Sequence, residues 1–346
     1  MKQICLKGQL TFKYFGSASS KYAAKEPQME LTKWLCRNSK DVIYINSESL
    51  TAKKLYELRN KNTWLSSDHI NAYLSYLSTK FHHVYSLSSF FYTKLTKAGY
   101  SSVVRWTKRT QISQKKIIFV PINLHQSHWI LAAIFMKDPY RIAVLDSLGS
   151  ISNDYAIAIG KNLVKWLNDE YRNKCNSNEI GDQIKVVLDI MFLNEEPPQV
   201  DGHSCGVFVC LFARLIAENI EKDKIKYIAK FEEVIEKFRK VISIELWEYA
   251  NEKKEEKLLL SDIKRYIREF SKDRNPRNVQ KSDNPICGLR KFLRKISELR
   301  LFFFLFNNKN IADYSCDNVS EDEKDNVDII YEISFRYHDS ITRILI

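Results

Sequence analysis

The chain has 346 residues, 45% of them hydrophobic and 28% charged, enough apolar material for a substantial core and for two or three domains. Its 54 Lys+Arg against 42 Asp+Glu give a formal net charge of +12, which suits an acidic partner surface, but no DNA- or RNA-binding motif accompanies the charge and nucleic acid is not an expected partner. Scarce Gly (9) and Pro (7) exclude a long flexible linker, and the longest apolar run, Leu301–Phe306, falls far short of the roughly 20 residues that span a bilayer, so no membrane partner is expected either.

Residues 1–40, with eight basic and two acidic positions, read as a poorly structured basic extension. A short strand is expected at Val42–Ile45. Ile70, Tyr73, Leu74 and Leu77 fall at helical spacing behind the capping signal Ser66-Ser67-Asp68. Ile117–Val120 reads as a buried strand. Trp129–Phe135 and Arg141–Asp146 read as a hairpin around the turn signal Lys137-Asp138-Pro139-Tyr140. A further strand is expected at Ile184–Leu188, then a helix at Val207–Ala217 that is apolar on nearly every face, then a second helix over Phe231–Trp247. In 251–346, Leu259, Ile263, Tyr266, Ile267 and Phe270 fit one amphipathic helix packed against a body, and Leu289, Phe292, Leu293, Ile296 and Phe303 another. The domains expected are thus the extension 1–40, a main domain 41–250, and a partly helical C-terminal extension 251–346 of unassigned role.

The seven cysteines are Cys5, Cys36, Cys175, Cys205, Cys210, Cys287 and Cys316. Their odd number, irregular spacing and lack of a CxxC pair argue against a disulfide framework and against a zinc site. A reducing, intracellular setting follows, nuclear or cytoplasmic, and the N-terminus has no signal-peptide pattern. Among these cysteines Cys205 stands apart. It lies in Asp201-Gly202-His203-Ser204-Cys205-Gly206, where a polar, Gly-containing loop enters the apolar helix. The positive end of a helix dipole stabilises a negatively charged sulfur there, and free backbone N–H groups can hold an oxyanion. Cys210, inside the apolar run, reads as a core residue.

A nucleophilic thiol needs a base, and the base an orienting acid. His128 opens one hairpin strand and Asp146 closes the other. A turn centred near residue 137 or 138 places residues whose numbers sum to about 275 opposite each other, and these two sum to 274, which predicts cross-strand neighbours. Gln199, six residues before Cys205, has an amide that can donate to a developing oxyanion.

These residues, with Trp64-Leu65-Ser66-Ser67-Asp68, Phe90–Leu95, Gly99-Tyr100, Arg105-Trp106-Thr107-Lys108, Val120-Pro121-Ile122, His128-Trp129, Leu145–Gly149 and Gln199 through Phe208, resemble the Ulp/SENP, or sentrin-specific, family of SUMO proteases over about 41–250. The resemblance implies an α+β, papain-like cysteine protease fold, with a central mixed sheet and the nucleophile at the N-terminus of a buried helix. It implies catalytic roles for His128, Asp146, Gln199 and Cys205. It also implies a tunnel for a Gly-Gly tail roofed by Trp64 and Trp129, with Asp68, Ser204 and Gly206 on the substrate side. Two closing indoles leave no room for a Cβ, so only glycine passes.

Three departures from the family pattern bear on the choice of modifier. Ser66-Ser67 replace the usual Asn-Asp, Ser204 replaces the usual Asp before the nucleophile, and the loop before His128 is one residue longer. The function expected is a deSUMOylating cysteine protease, an isopeptidase and C-terminal hydrolase, acting on a SUMO-like modifier and its conjugates with no metal or organic cofactor. Alternatives are the same chemistry as a deneddylase or deubiquitinase, or an inert modifier-binding module.

Overall fold

The computed structural model of the chain describes residues 25–37, 40–137, 140–174, 186–189, 199–219 and 231–272. The fold divides into two units, Met1–Lys254 and Glu255–Ile346. In the second, only residues 255–272 are described.

The first unit begins with helix α1 (Lys25–Arg37) and a hairpin of β1 (Val42–Ile45) and β2 (Glu48–Thr51). The short helix α2 (Ala52–Glu57) and the helix α3 (Ser67–Lys80) follow, then β3 (Val84–Ser86) and α4 (Phe91–Ala98). Strands β4 (Ile117–Leu124), β5 (His128–Phe135) and β6 (Tyr140–Leu145) lead to α5 (Asn153–Lys174), β7 (Val186–Asp189), α6 (Cys205–Asn219) and the long helix α7 (Phe231–Lys272). No helix among the described residues is long and apolar enough to cross a membrane.

The central sheet has the order β3-β4-β5-β6-β7. The outer pairs are parallel and the inner pairs antiparallel, which makes it a mixed sheet. Its strands are apolar at successive positions because both faces are covered. Ile117, Phe119, Leu131, Ala133, Ala143 and Leu145 enter one core with α3 and α6. Their neighbours in sequence, Ile118, Val120, Ile130, Ala132, Ile142 and Val144, enter a second core with α4 and α5. The period of two thus divides each strand between two layers of helix, and the α+β expectation holds. In α6, Val207–Phe212 are all buried, as an apolar run without a polar stripe requires.

Two expectations change. The segment expected to be an irregular extension contains α1, whose Leu31 and Leu35 are buried in the first core and whose Trp34 ring lies 6.5 Å from that of Trp247 on α7. Its many charges obscured a short apolar stripe, Leu31, Trp34 and Leu35, at helical spacing. The β5–β6 register centres on residue 138, within the expected range, but it sets His128 two residues from the position opposite Asp146. Leu131 pairs with Leu145 and Phe135 with Arg141, so paired numbers sum to 276. A two-residue offset leaves every side chain on its expected face, whereas a one-residue slip would have reversed them. The expected helix over 289–303 lies outside the described residues, and the residues expected to form one over 259–270 continue α7.

Candidate active site

His128 is placed by the tight turn that precedes it. His125 and Gln126 both take positive φ, 52° and 60°, and the Ser127 amide donates to the Leu124 carbonyl at 3.0 Å. His128 becomes the first residue of β5, paired with Leu124. Asp146 follows the last residue of β6. In the observed register the two lie diagonally, and their side chains close the gap: His128 Nε2 lies 2.6 Å from Asp146 Oδ1.

Asp146 is held from its other side by main-chain donors. Leu148 N donates to Oδ1 at 3.0 Å, and Ser150 N and Ile151 N donate to Oδ2 at 2.6 and 3.0 Å. Burial works against its charge, but the hydrogen bond with His128 and those from Leu148 and Ile151 prevail and hold the carboxyl down at about 2. Burial likewise opposes the His128 cation. The bond to Asp146 and the interaction with Cys205 outweigh it and push the imidazole up to about 9. The second ring nitrogen, Nδ1, is buried and has no hydrogen-bond partner among the described residues.

Cys205 is the first residue of α6 and is 3% exposed. Its approach is built by Asp201, whose Oδ1 accepts from His203 N at 2.8 Å and Ser204 N at 2.7 Å. That is an Asx-type turn leading into a helix. Ser204 in turn offers its carbonyl to Val207 N and Phe208 N. Gln199 is fixed to the strand end that carries Asp146: its amide N donates to Ser147 O at 3.0 Å, and Ser147 Oγ donates to its Oε1 at 2.7 Å. Its Nε2 donates to Asp201 O at 2.7 Å.

The expected substrate-side residues divide. Trp129 is buried and its Nε1 donates to Leu65 O at 2.9 Å, while Trp64, one residue before Leu65, is 49% exposed. Trp129 thus anchors the loop that presents Trp64. A Cβ on Gly206 would come within 2.9 Å of Leu65 Cβ, so this glycine lets the same loop pack on the start of α6. Nothing lies within 4 Å of a Cβ on Gly202, so of these two glycines only Gly206 is required by close packing. Ser204 is buried and turned toward Asp201, which makes it part of the loop's frame. Asp68 forms an ion pair with Lys54 of α2.

Ser147 and Asp201 escaped the sequence reading, although Asp201-Gly202 is a turn signal just before a helix and pointed to a loop organiser.

The arrangement is one of a thiol at a helix start, an imidazole with one nitrogen on a carboxylate and the other open, and an amide donor beside them. The model of the Ulp1 protease family, C-terminal catalytic domain, matches residues 63–254. Ubiquitin-like-specific protease 1 of Saccharomyces cerevisiae is 36% identical over 151 residues, 43% of this chain and 22% of that protein. Human sentrin-specific protease 2 is 31% identical over 175 residues, 49% of this chain and 28% of that protein. The aligned stretch therefore spans about a quarter of the length of these relatives. A structure of the C-terminal Ulp1 protease domain in complex with Smt3, the yeast ortholog of SUMO, matches with TM-score 0.53 and 26% identity over 66% of this chain and 96% of that one. SUMO protease Ulp1 with its catalytic cysteine oxidised to a sulfenic acid matches with TM-score 0.54 and 26% identity, over 70% of this chain and 100% of that one. With its family model covering more than half of its length, the chain belongs to the Ulp1 protease family.

Proposed function

We propose that the protein is a cysteine protease that cleaves after the Gly-Gly tail of SUMO or a SUMO-like modifier, both as a precursor hydrolase and as an isopeptidase on conjugates. The observation that carries this reading is the His128 geometry. Nε2 is engaged by Asp146 at 2.6 Å, and Nδ1 is buried and open beside Cys205 at the start of α6. An imidazole held in this way takes the thiol proton and keeps it as a stabilised cation.

The thiolate adds to the carbonyl carbon of the terminal glycine and forms the C–S bond. Backbone N–H groups at the start of α6 and the Gln199 side-chain amide, whose Nε2 also contacts Asp201 O and Oδ1, are the donors to the oxyanion in this reading. As the C–N bond breaks, His128 passes its proton to the departing lysine amine. His128 then takes a proton from water, the hydroxide attacks the thioester, and the modifier leaves with a free carboxylate. Trp64, half exposed above the anchored Trp129, closes over the extended tail and admits glycine alone. The names of the solved relatives, which include a complex with the yeast ortholog of SUMO, support this substrate class.

The catalytic unit proposed runs from α1 to about Lys254 and replaces the interval 41–250, because α1 contributes to the core. A thiol nucleophile must stay reduced, so an intracellular location, nuclear or cytoplasmic, is proposed with it.

The test is a panel of SUMO, a Nedd-type modifier and ubiquitin, each with a C-terminal electrophile, with covalent adducts at Cys205 read by mass. Fastest adduct formation with SUMO is expected. Preference for either other modifier overturns the substrate, and an adduct with none of them overturns the enzyme.

A further inference from the structure

Two loops meet at the start of α6, and a side chain that the reaction as described does not use joins them. The first loop, 58–66, carries Trp64. The second, 199–204, leads into Cys205. The ring of His203 reaches from the second to the first: its Nε2 donates to Asn62 Oδ1 at 3.2 Å, across 141 positions of sequence. The N–H that this bond needs is present in the cation and in one neutral tautomer of the ring, so the link does not depend on charge. On the other side Nδ1 lies 2.7 Å from Asp201 Oδ1, an ion-pair distance when the ring is protonated, though off the hydrogen-bond direction. The ring thus sits between the carboxylate that organises the nucleophile's loop and a residue two positions before Trp64.

The placement of Asn62 carries this link toward the indole. Its own amide donates to Asn60 Oδ1 at 3.0 Å, and Thr63 N donates to Asn60 O at 3.2 Å, a turn that runs directly into Trp64. Beyond Trp64 the chain is pinned at Leu65, whose carbonyl accepts from Trp129 Nε1 at 2.9 Å and whose side chain packs against Gly206. Trp64 itself is half exposed, so its place depends on the anchors on either side of it. A segment pinned at one point keeps the freedom to swing about it, and a second pin removes that freedom. The His203 ring is not needed to shape its own loop in this way. The amides of His203 and Ser204 donate to Asp201 Oδ1 whatever side chain residue 203 carries. What the side chain adds beyond the loop is the contact with Asn62.

We propose that His203 is a positioning residue for Trp64: it latches the loop of Asn62 and Trp64 to the loop of Cys205, so that the indole closing over the tail and the sulfur attacking it keep a fixed separation. The proposal rests on the reading of Trp64 as the cover of the Gly-Gly tail.

The test compares two reactions of the full chain. Cleavage of a SUMO precursor needs the tail held under Trp64, whereas alkylation of Cys205 by iodoacetamide, read peptide by peptide, does not. His203→Ala should lower kcat/KM for the precursor about three- to tenfold, the effect of one net hydrogen bond, and leave the alkylation rate and the thermal midpoint close to wild type. His203→Gln, whose amide N–H can reach Asn62, should recover most of the rate, and His203→Asn, too short to do so, should behave as His203→Ala. Approached from the partner, Asn62→Ala should match His203→Ala, and Asn62→Asp, which keeps an acceptor, should stay near wild type. Combining Asn62→Ala with His203→Ala should be no worse than either alone. A His203→Ala enzyme that cleaves as wild type overturns the proposal. So does one in which cleavage and alkylation slow together, because the ring then serves the nucleophile's loop alone. Additive losses in the double variant, or a His203→Gln no faster than His203→Asn, overturn it as well. Should His203→Ala not fold, the exposed Asn62 carries the same comparison through Asn62→Ala. Trp64→Ala separates the two levels of the argument. A loss there with none in His203→Ala overturns the latch alone, and unchanged cleavage in Trp64→Ala removes the cover of the tail and the latch with it.

Discussion

Helix α6 carries two buried ionic clusters at different points along its length, and they differ in what they leave open. At its first residue, Cys205 interacts with His128, whose Nε2 is held by Asp146. Further along, Arg214 donates to Glu245 at 2.5 Å and to Tyr73 Oη at 3.1 Å, and through Nε to Glu218 at 2.7 Å. Tyr73 and Lys80 both donate to Glu245 as well, at 3.0 and 3.1 Å. In this second cluster both carboxylate oxygens of Glu245 are engaged, and the group joins α3, α6 and α7. In the first, Nδ1 of His128 is left without a partner. A satisfied buried network fixes geometry, whereas one with an atom to spare can exchange a proton. The same contrast separates the two cysteines of the helix. Cys210, one turn and a half beyond Cys205, is fully buried, and burial pushes its thiol far up, out of the reactive range.

The largest effect should come from breaking the open cluster. Cys205→Ser is expected to lower the rate of SUMO precursor cleavage by about 10⁴-fold or more with an unchanged thermal midpoint, because the hydroxyl is a far weaker nucleophile near neutral pH. Cys210→Ser should show the reverse. Turnover per folded molecule stays near wild type, and stability drops by about 1–3 kcal/mol from a hydroxyl buried without a partner. Substantial turnover by Cys205→Ser would remove it from the site.

Next is the anchoring of α7, the helix that supplies Glu245. Deleting residues 1–40 removes α1, with Leu31 and Leu35 from the core and Trp34 from its contact with Trp247. At about 1.5–3 kcal/mol for each buried leucine, the expected loss is roughly 3–6 kcal/mol. That is a large part of a typical stability of about 5–15 kcal/mol. Urea midpoints of chains beginning at residue 25 and at residue 41 should separate accordingly, and equal midpoints would mean that α1 is dispensable.

Glu245→Gln tests the closed cluster. It leaves Arg214 buried with its main counter-charge gone, at a cost of about 3–5 kcal/mol in unfolding free energy. The rate constant of the remaining folded enzyme should change little. A fall in rate without a fall in stability would contradict the division of labour between the two clusters.

The smallest effect is on the pH dependence of stability. His128 is raised from 6.5 to about 9 in the folded protein, so its contribution is complete below pH 6.5 and is lost as pH rises toward 9. Asp146 is lowered from 3.8 to about 2, so its contribution is complete above pH 3.8 and is lost as pH falls toward 2. Glu245 is held below its ordinary value, against its burial, by Arg214 and Lys80, and it adds only to the acid side. The decline between pH 6.5 and 9 should therefore flatten in His128→Gln, followed by urea midpoints across that range. An undiminished decline in that variant would place the titrating group elsewhere.

The sequence by itself determined whatever local spacing carries. The apolar run from Val207 identified α6, the polar loop before it marked Cys205 as the entry to a helix, and the hairpin placed His128 and Asp146 at neighbouring strand ends. The ordered motifs then pointed to the family. Tertiary structure decided what depends on residues distant in the chain. It set the hairpin register, and so a diagonal His128–Asp146 contact where a direct cross-strand pair was expected. It tied Gln199 to Ser147, 52 positions away, and Trp129 to Leu65, 64 positions away. It gave Gly206 to the packing of Leu65 and Asp68 to Lys54. The physical reason is the range of the forces that a pattern records. Periodicity and capping report which face of an element is apolar and where the element ends, but a hydrogen bond between side chains needs positions fixed to a fraction of an ångström, and those are set only when both cores have closed around the sheet.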